Sequence, residues 1–200
     1  MLKEKKLEKK DKIAKVSLRV FAEKGFQNTD INDILKEADI SKSTFYYYFK
    51  SKRELYEIIV NEFFMELIKL AWTTEYRTLS NISEIESYIS KLIDNYAYFA
   101  EEYGDIIKII FTEAPAIDKD FAKSMERNVD GLLLTVVDFV SIYKEKGILK
   151  KDLDANIFSY MISGFVKEVI TQVVIRENYV MDKEKLKKFI IDFLNAYYAK

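Results

Sequence analysis

The chain has 200 residues, of which 49% are hydrophobic and 32% are charged, and its net charge is −1. This composition supports a packed core and excludes a disordered or collagen-like chain. Cysteine and histidine are both absent, which excludes disulfides, thiolate nucleophiles, Ser-His-Asp triads and zinc sites built from those two residue types. One proline and five glycines favour long helices over a many-stranded fold, so we expect an all-α protein.

The amino terminus has no apolar segment long enough for a signal peptide. No uninterrupted apolar stretch approaches the roughly 18 residues that a membrane span needs. We therefore expect a cytoplasmic protein with no membrane partner.

The balanced net charge conceals a strong asymmetry. Residues 1–53 carry 14 Lys/Arg and 8 Asp/Glu, whereas the remaining residues have a net charge of −7. A basic segment of this kind is suited to a polyanionic partner, and the alternative is a solvated, lysine-rich helix.

The basic segment predicts three helices. Apolar residues recur at helical spacing from Lys9 to Lys24, and Gly25 is suited to a left-handed helix end. Thr29 is the expected N-cap of a short second helix, and Asp39 lies in the tight turn that follows. Ser41 is then the expected N-cap of a third helix.

The rest of the chain also predicts helices. A capping box at Ser51 and Glu54 begins a fourth helix. Gly104 and Gly147 are the expected ends of two later helices, and the other helices are expected to begin near Asn81, Ile106, Asp118, Asp152 and Asp182. We expect about nine helices, with a three-helix head followed by a larger helical domain.

The segment from Thr29 to Tyr48 has the pattern of a helix-turn-helix, the unit that places a recognition helix in the major groove. Its inward positions are apolar: Ile31, Ile34, Ile40, Phe45 and Phe49. Its outward positions are polar or aromatic: Lys42, Ser43, Thr44, Tyr46 and Tyr47. Lysine reaches phosphate or guanine, and the hydroxyl groups reach phosphate or base edges. Free N–H groups at the two N-caps are suited to phosphate.

These residues carry a family resemblance. The sequence resembles the DNA-binding domain of the TetR family of transcription regulators at the following positions: Phe21 to Phe26, Thr29, Ile34, Ala38, Ile40 to Lys52, and Leu55. The resemblance covers about residues 9–55. Beyond them, the chain is similar to the family's regulatory domain in helix number and size only.

The resemblance implies a DNA-binding domain in residues 1–52 and a helical ligand-binding and dimerisation domain in residues 53–200. It implies that Lys42, Ser43, Thr44, Tyr46 and Tyr47 face the groove, and that Thr29, Ser41, Tyr48 and Lys52 meet the DNA backbone. It also implies a homodimer on a palindromic double-stranded operator, released by a small, partly apolar effector. The sequence departs from the family at Ser43 and Asp39, where glycine is common, and at Leu35, where alanine is frequent.

The resemblance further implies an effector pocket in the regulatory domain. The candidates are aromatic residues and one arginine: Phe63, Trp72, Tyr88, Phe99, Tyr103, Phe111 and Arg127. Such a lining is typical of small-molecule sites, and the alternative for each aromatic residue is ordinary core. Polar residues beside apolar stretches either anchor a ligand or lie on solvated helix faces: Asp94, Asp130, Asp138, Glu168 and Gln172.

The last two predicted helices have wide apolar faces, which need cover. A partner subunit would provide it, and burial inside the same chain is the alternative. The candidate interface residues are Ile157, Met161, Gly164, Phe165, Phe189, Ile190, Phe193 and Tyr197.

We expect no enzymatic activity, no cofactor and no metal site. One alternative is a helical-bundle carrier or a carboxylate-metal enzyme with an incidental basic head. The other is an architectural DNA-binding member of the family that responds to no ligand.

Overall fold

The computed structural model describes residues 2–71, 74–113, 117–178 and 180–199, which form an all-α fold as predicted. No β-strand occurs in these ranges, which contain nine α-helices: α1 (Leu2–Lys24), α2 (Ile31–Ala38), α3 (Lys42–Tyr48), α4 (Lys52–Ala71), α5 (Ile82–Glu102), α6 (Gly104–Thr112), α7 (Lys119–Glu145), α8 (Ala155–Ile170) and α9 (Lys183–Asn195). A 3₁₀ helix, Thr74–Arg77, follows α4, and a π-helical turn, Thr171–Ile175, continues α8.

The chain packs as two compact units. The first unit contains Met1–Phe64 and Asp105–Met125, and the second contains Met65–Gly104 and Glu126–Lys200. The predicted functional domains, 1–52 and 53–200, divide the chain differently and stay a prediction. The segment Asp105–Met125 belongs to the predicted regulatory domain, yet it packs in the same unit as the helix-turn-helix.

Buried aromatic side chains join α1 and α4 in the first unit. Tyr56 on α4 is 1% exposed, and its ring lies 5.1 Å from Phe21 and 4.7 Å from Phe26, between centroids. Phe121, which is also buried, stacks on the same tyrosine at 5.6 Å. These contacts bury large apolar areas and hold α1, α4 and the start of α7 together.

The second unit has its own core, in which α5, α7, α8 and α9 all take part. Its buried members are Tyr76, Leu79, Ile85, Tyr88, Val140, Tyr143, Leu149, Phe158, Leu194 and Tyr198. A polar network borders this core, where Asp138 accepts hydrogen bonds from the Tyr76 hydroxyl at 2.5 Å and from Arg77 at 2.6 Å. Burial, followed by the bond to Asp138, raises the pKa of Tyr76 to about 12.

Local signals predicted several helix boundaries correctly. Gly25 ends α1 at a φ of +79°, and Gly147 follows α7 at +72°. Asp39 is the C-cap of α2 in the left-handed region, with a φ of 51°. Asn81 and Asp182 cap α5 and α9.

Four boundary predictions were wrong. Helix α1 begins at Leu2 rather than near Lys9, so it continues through a lysine-rich segment that the apolar pattern did not include. Gly104 begins α6, whereas α5 already ends at Glu102 with Tyr103 as its C-cap. The N-cap of α8 is Asp154 and not Asp152, because the side chain of Asp154 accepts the first free N–H groups of that helix.

The fourth wrong prediction concerns α2, whose N-cap is Asp30 rather than Thr29. The carboxylate of Asp30 accepts the N–H of Asn32 at 2.7 Å, and that of Asp33 accepts the N–H of Asp30 at 3.0 Å. This reciprocal capping satisfies more free N–H groups than a threonine hydroxyl does.

Candidate nucleic-acid interface

The turn between α2 and α3 is built from local bonds. The left-handed Asp39 directs its N–H back to Lys36, and the next N–H, that of Ile40, reaches the carbonyl of Leu35 at 3.1 Å. This reverses the chain within three residues, so that α3 follows α2 closely.

Two phenylalanines set which face of α3 is outward. Phe45 is 0% exposed and Phe49, the C-cap, is 1% exposed, as the sequence predicted. Because they anchor one side of a seven-residue helix, the side chains on its opposite side are directed to solvent.

The outward face of α3 contains most of the predicted groove-facing residues. Lys42 and Ser43 are exposed, Tyr46 is 46% exposed and Tyr47 is 64% exposed. Thr44 and Tyr48 are half-buried beside them. This face therefore combines one ammonium group with hydroxyl groups, which suits phosphate oxygens and base edges.

Three hydroxyl groups cluster at the start of α3. Ser41 is the N-cap, as predicted, and its Oγ accepts the N–H of Thr44 at 3.1 Å. The same oxygen lies 2.9 Å from Ser43 Oγ and 2.8 Å from Thr44 Oγ1. The cluster orients these side chains before any DNA is bound.

Thr29 and Lys52, which were predicted to contact the DNA backbone, form hydrogen bonds within the protein. Thr29 is 2% exposed, and its hydroxyl donates to the carbonyl of Gly25 at 2.7 Å. The ammonium of Lys52 donates to the carbonyls of Phe26 at 2.6 Å and Thr29 at 2.7 Å. Burial lowers the pKa of Lys52.

The N-terminus of α2 is acidic. Asp30 and Asp33 both lie at the N–H groups where phosphate was expected. Lys24 donates to Asp33 at 2.6 Å, and this bond is the main reason that the pKa of Asp33 is lowered. A phosphate at this position would meet two carboxylates. The Asp-x-x-Asp spacing is the sequence signal that would have identified this capping pattern.

The segment Asp105–Met125 contacts the head at positions that sequence reasoning missed. Glu113 Oε2 accepts the backbone N–H of Phe26 at 2.6 Å, although 87 residues separate them. Asp118 binds Arg53 through two bonds, of 2.6 Å to Nε and 3.1 Å to an NH group. The bond from Arg53 lowers the pKa of Asp118 to about 2. No local pattern indicates either pairing.

The predicted effector residues are divided between the two units. Phe63 and Phe111 belong to the first unit, and Trp72 lies outside the described residues. In the second unit, Tyr88 is part of the core, the rings of Phe99 and Tyr103 lie 4.6 Å apart, and Arg127 is exposed. The core position of Tyr88 favours the structural alternative for that residue, and the effector site stays a prediction.

A groove of about 380 Å³ lies along α8 and the π-helical turn. Its lining contains two of the polar residues considered as ligand anchors, Glu168 and Gln172, which bond to each other at 2.6 Å. The apolar part of its lining includes Phe165, one of the predicted interface residues.

The predicted interface residues differ in exposure. Ile157 is 67% exposed, Phe189 is 58% exposed and Met161 is 40% exposed, and Gly164 is also open to solvent. The other four are half-buried: Phe165, Ile190, Phe193 and Tyr197. Stacked rings join α8 to α9 within the chain, with Phe165 and Phe189 at 6.0 Å. The apolar faces are thus only partly covered.

The 21-residue stretch Ala155–Ile175 is long and apolar enough to cross a membrane by length and composition alone. Only 11% of its most apolar window is buried. Within the described ranges, no three acidic side chains lie together as a metal ion would require.

These features define the class of the protein. A three-helix head anchors a short recognition helix through two buried phenylalanines and presents its hydroxyl-rich, basic face to solvent. This is the arrangement of a helix-turn-helix DNA-binding regulator.

The helix-turn-helix domain matches a known family of regulators. Residues 13–59 match the model of the bacterial regulatory proteins of the tetR family. An uncharacterised HTH-type transcriptional regulator of Bacillus subtilis, YdgC, is 24% identical over 64% of this chain and 68% of its own length. The Staphylococcus aureus biofilm operon icaADBC negative transcriptional regulator, IcaR, is 31% identical over 42% of this chain and 45% of its own. The helix-turn-helix domain, residues 13–59, is thus that of the TetR family of transcription regulators.

A solved structure supports the fold of the whole chain. The transcriptional regulator FadR from Bacillus subtilis, crystallised in complex with stearoyl-CoA, has a TM-score of 0.75 to this protein. The match covers 92% of this chain and 96% of FadR at 18% sequence identity. The similarity in fold therefore includes the carboxyl-terminal helices, where the sequence has no motif.

Proposed function

We propose that this protein is a homodimeric TetR-family repressor that binds a palindromic operator and releases it when a small, partly apolar molecule binds. The observation that carries the proposal is the outward face of α3, where Lys42, Tyr46 and Tyr47 lie exposed opposite the buried Phe45. A lysine and hydroxyl groups on a protruding helix match phosphate oxygens and base edges of a major groove.

Repression is supported by the relative from Staphylococcus aureus, which is named as a negative regulator. That relative is similar over the head and a limited part beyond it, so the proposal rests mainly on the shared DNA-binding domain. Binding of the operator in the cytoplasm would block transcription, with no enzymatic step.

The homodimer is supported by the apolar faces of α8 and α9, which are only partly covered within the chain. Ile157, Tyr160 and Phe189 are each more than half exposed. A second copy would bury them across a two-fold axis, and the same symmetry would present two recognition helices to a palindrome. Dimerisation also accounts for an apolar helix that is little buried within one chain.

The effector is proposed to be partly apolar. Support comes from the aromatic content of the regulatory helices and from FadR, whose structure contains stearoyl-CoA. A ligand changes operator affinity only if it binds more tightly to the conformation that does not fit DNA. A long-chain acyl-CoA is therefore the first molecule to test.

Selection of bound duplexes from a random DNA pool tests the DNA-binding part of the proposal. We expect a palindromic consensus, and a steep fall in affinity with salt on the selected duplex, because lysines replace counterions on phosphate. Recovery of random sequences from protein that was unfolded and refolded to remove ligand would contradict the proposal.

Release from the selected operator tests the effector. Stearoyl-CoA is expected to weaken operator binding, whereas free coenzyme A, the matched control, is expected to leave it unchanged. Equal effects of the two compounds would show that the acyl chain is not what the protein recognises. Operator binding that ignores both compounds and a metabolite extract would favour a ligand-independent regulator.

A further inference from the structure

The connection between α1 and α2 is held from two sides by charged residues outside it. On one side, the carboxylate of Glu113 accepts the N–H of Phe26 at 2.6 Å. On the other side, the ammonium of Lys52 donates to the carbonyls of Phe26 and Thr29. Both backbone groups of Phe26 are thus bonded to charged side chains, and such bonds are about twice as strong as neutral ones.

The geometry around this connection is adapted to the carboxylate. Gly25 has a φ of +79°, and a Cβ at this position would lie 2.7 Å from Oε1 of Glu113. Only glycine therefore combines the left-handed backbone with this close approach. The carboxylate lies against the main chain itself, at the residue where α1 ends.

Lys52 is half-buried beside the same connection. Its ammonium lies 4.5 Å above the ring of Phe26, which is 5% exposed and packs on Tyr56. Two carbonyls at 2.6 and 2.7 Å already accept its protons. The remaining contact of this ammonium, to the carbonyl of Gln27, is longer at 3.4 Å, so a DNA phosphate would compete with that weaker bond.

We propose that Glu113 and Lys52 are positioning residues for DNA recognition, and that Lys52 acts through the α1–α2 connection instead of through a phosphate. The connection sets the direction in which α2 leaves α1, and α2 carries the turn that orients α3. The inference rests on the proposed operator binding. It also makes a residue after α6 part of the DNA-binding unit, since Glu113 lies in the predicted regulatory domain.

The first test compares Glu113→Ala with Glu23→Ala in the full-length protein, by operator affinity, thermal unfolding and oligomeric state. Glu23 is an exposed carboxylate on α1. Both changes remove one negative charge, which by itself reduces repulsion of DNA. We expect Glu113→Ala to weaken operator binding roughly tenfold, since it removes a charge-assisted bond. Glu23→Ala is expected to bind equally well or more tightly.

Glu113→Gln keeps an oxygen acceptor for the N–H of Phe26 and is expected to recover most of the affinity. A purely structural role would lower the unfolding temperature of Glu113→Ala and leave operator affinity unchanged at temperatures where the variant is folded. That result would overturn the proposal for Glu113.

Lys52→Met separates positioning from phosphate contact, and it keeps the proposal testable if Glu113→Ala does not fold. Positioning predicts weaker operator binding at every salt concentration with an unchanged salt slope. A phosphate contact predicts a slope reduced by about one for each head, or about two for the dimer on its operator, which would overturn the inference for Lys52. Wild-type protein that binds no selected duplex would overturn the proposed function as well, whereas normal operator binding by both variants would overturn this inference alone.

Discussion

Lys52 and Thr29, both expected to contact the DNA backbone, are bonded to each other: the ammonium of Lys52 donates to the carbonyl of Thr29 at 2.7 Å. The hydroxyl of Thr29 is also occupied, by the carbonyl of Gly25. The proposed DNA surface is therefore narrower than the one predicted from the sequence, and it centres on the start and outer face of α3.

The first prediction concerns that face. Lys42→Ala and Tyr47→Ala should each weaken operator binding roughly 5- to 100-fold, the range for loss of one good base or phosphate contact. Tyr98→Ala is the matched control, because Tyr98 on α5 is 65% exposed and Tyr47 is 64% exposed. Fluorescence anisotropy with the selected operator measures the effect. Normal binding by both head variants would show that α3 is not the recognition helix.

The second prediction concerns the anchor of α3. Phe45→Ala should destabilise the protein by about 3–5 kcal/mol, because it removes a fully buried aromatic side chain and leaves a cavity. Tyr46→Ala, at the neighbouring exposed position, should cost less than about 1 kcal/mol. Urea unfolding followed by circular dichroism compares the two. Similar losses would mean that α3 is not held through Phe45.

The third prediction separates backbone strain from crowding at two glycines. Gly25→Ala and Gly147→Ala both place a side chain at a positive φ, which costs about 1–2 kcal/mol. Only at Gly25 does the new Cβ meet Glu113, whereas nothing lies within 4 Å at Gly147. We expect Gly25→Ala to lower the free energy of unfolding more than Gly147→Ala does. Equal losses would show that the carboxylate moves aside without cost.

The fourth prediction concerns acid stability. The pKa of Asp118 is lowered to about 2 in the folded protein, so its ionised form stabilises the fold above its ordinary pKa of 3.8. That contribution is lost as pH falls through the folded value. We therefore expect Asp118→Asn to be less stable than wild type at pH 7, and most of the difference to be lost by about pH 2. Chemical unfolding at both pH values measures it, and a difference as large at pH 2 as at pH 7 would assign it to another cause.

The fifth prediction concerns assembly. Phe189→Glu places a charge on an apolar side chain that is 58% exposed. If α8 and α9 form the dimer interface, this variant should be monomeric in sedimentation analysis and should lose operator affinity, because one head contacts only half of a palindrome. Tyr98→Glu, also at an exposed aromatic position, should remain dimeric. A dimeric Phe189→Glu would place the interface elsewhere.

The sequence by itself determined the features that depend on near neighbours in the chain. Apolar spacing and few helix breakers predicted the all-α fold, and Gly25 and Asp39 predicted the ends of α1 and α2. Ser41 and Phe45 predicted the start and the inward face of α3. Each of these depends on backbone sterics or on bonds across one helical turn, so a short window of sequence contains the whole cause.

Only the tertiary structure decided which of the predicted DNA-contacting groups are bonded within the protein. The bond between Glu113 and Phe26 spans 87 residues, and that between Lys52 and Phe26 spans 26. The sequence alone suggests that a lysine or threonine near a helix-turn-helix can bind DNA. Whether it can do so depends on which carbonyls or carboxylates the fold brings within about 3 Å of it. Long-range packing also brings the segment after α6 against the head. No periodicity or capping signal in either segment predicts this contact.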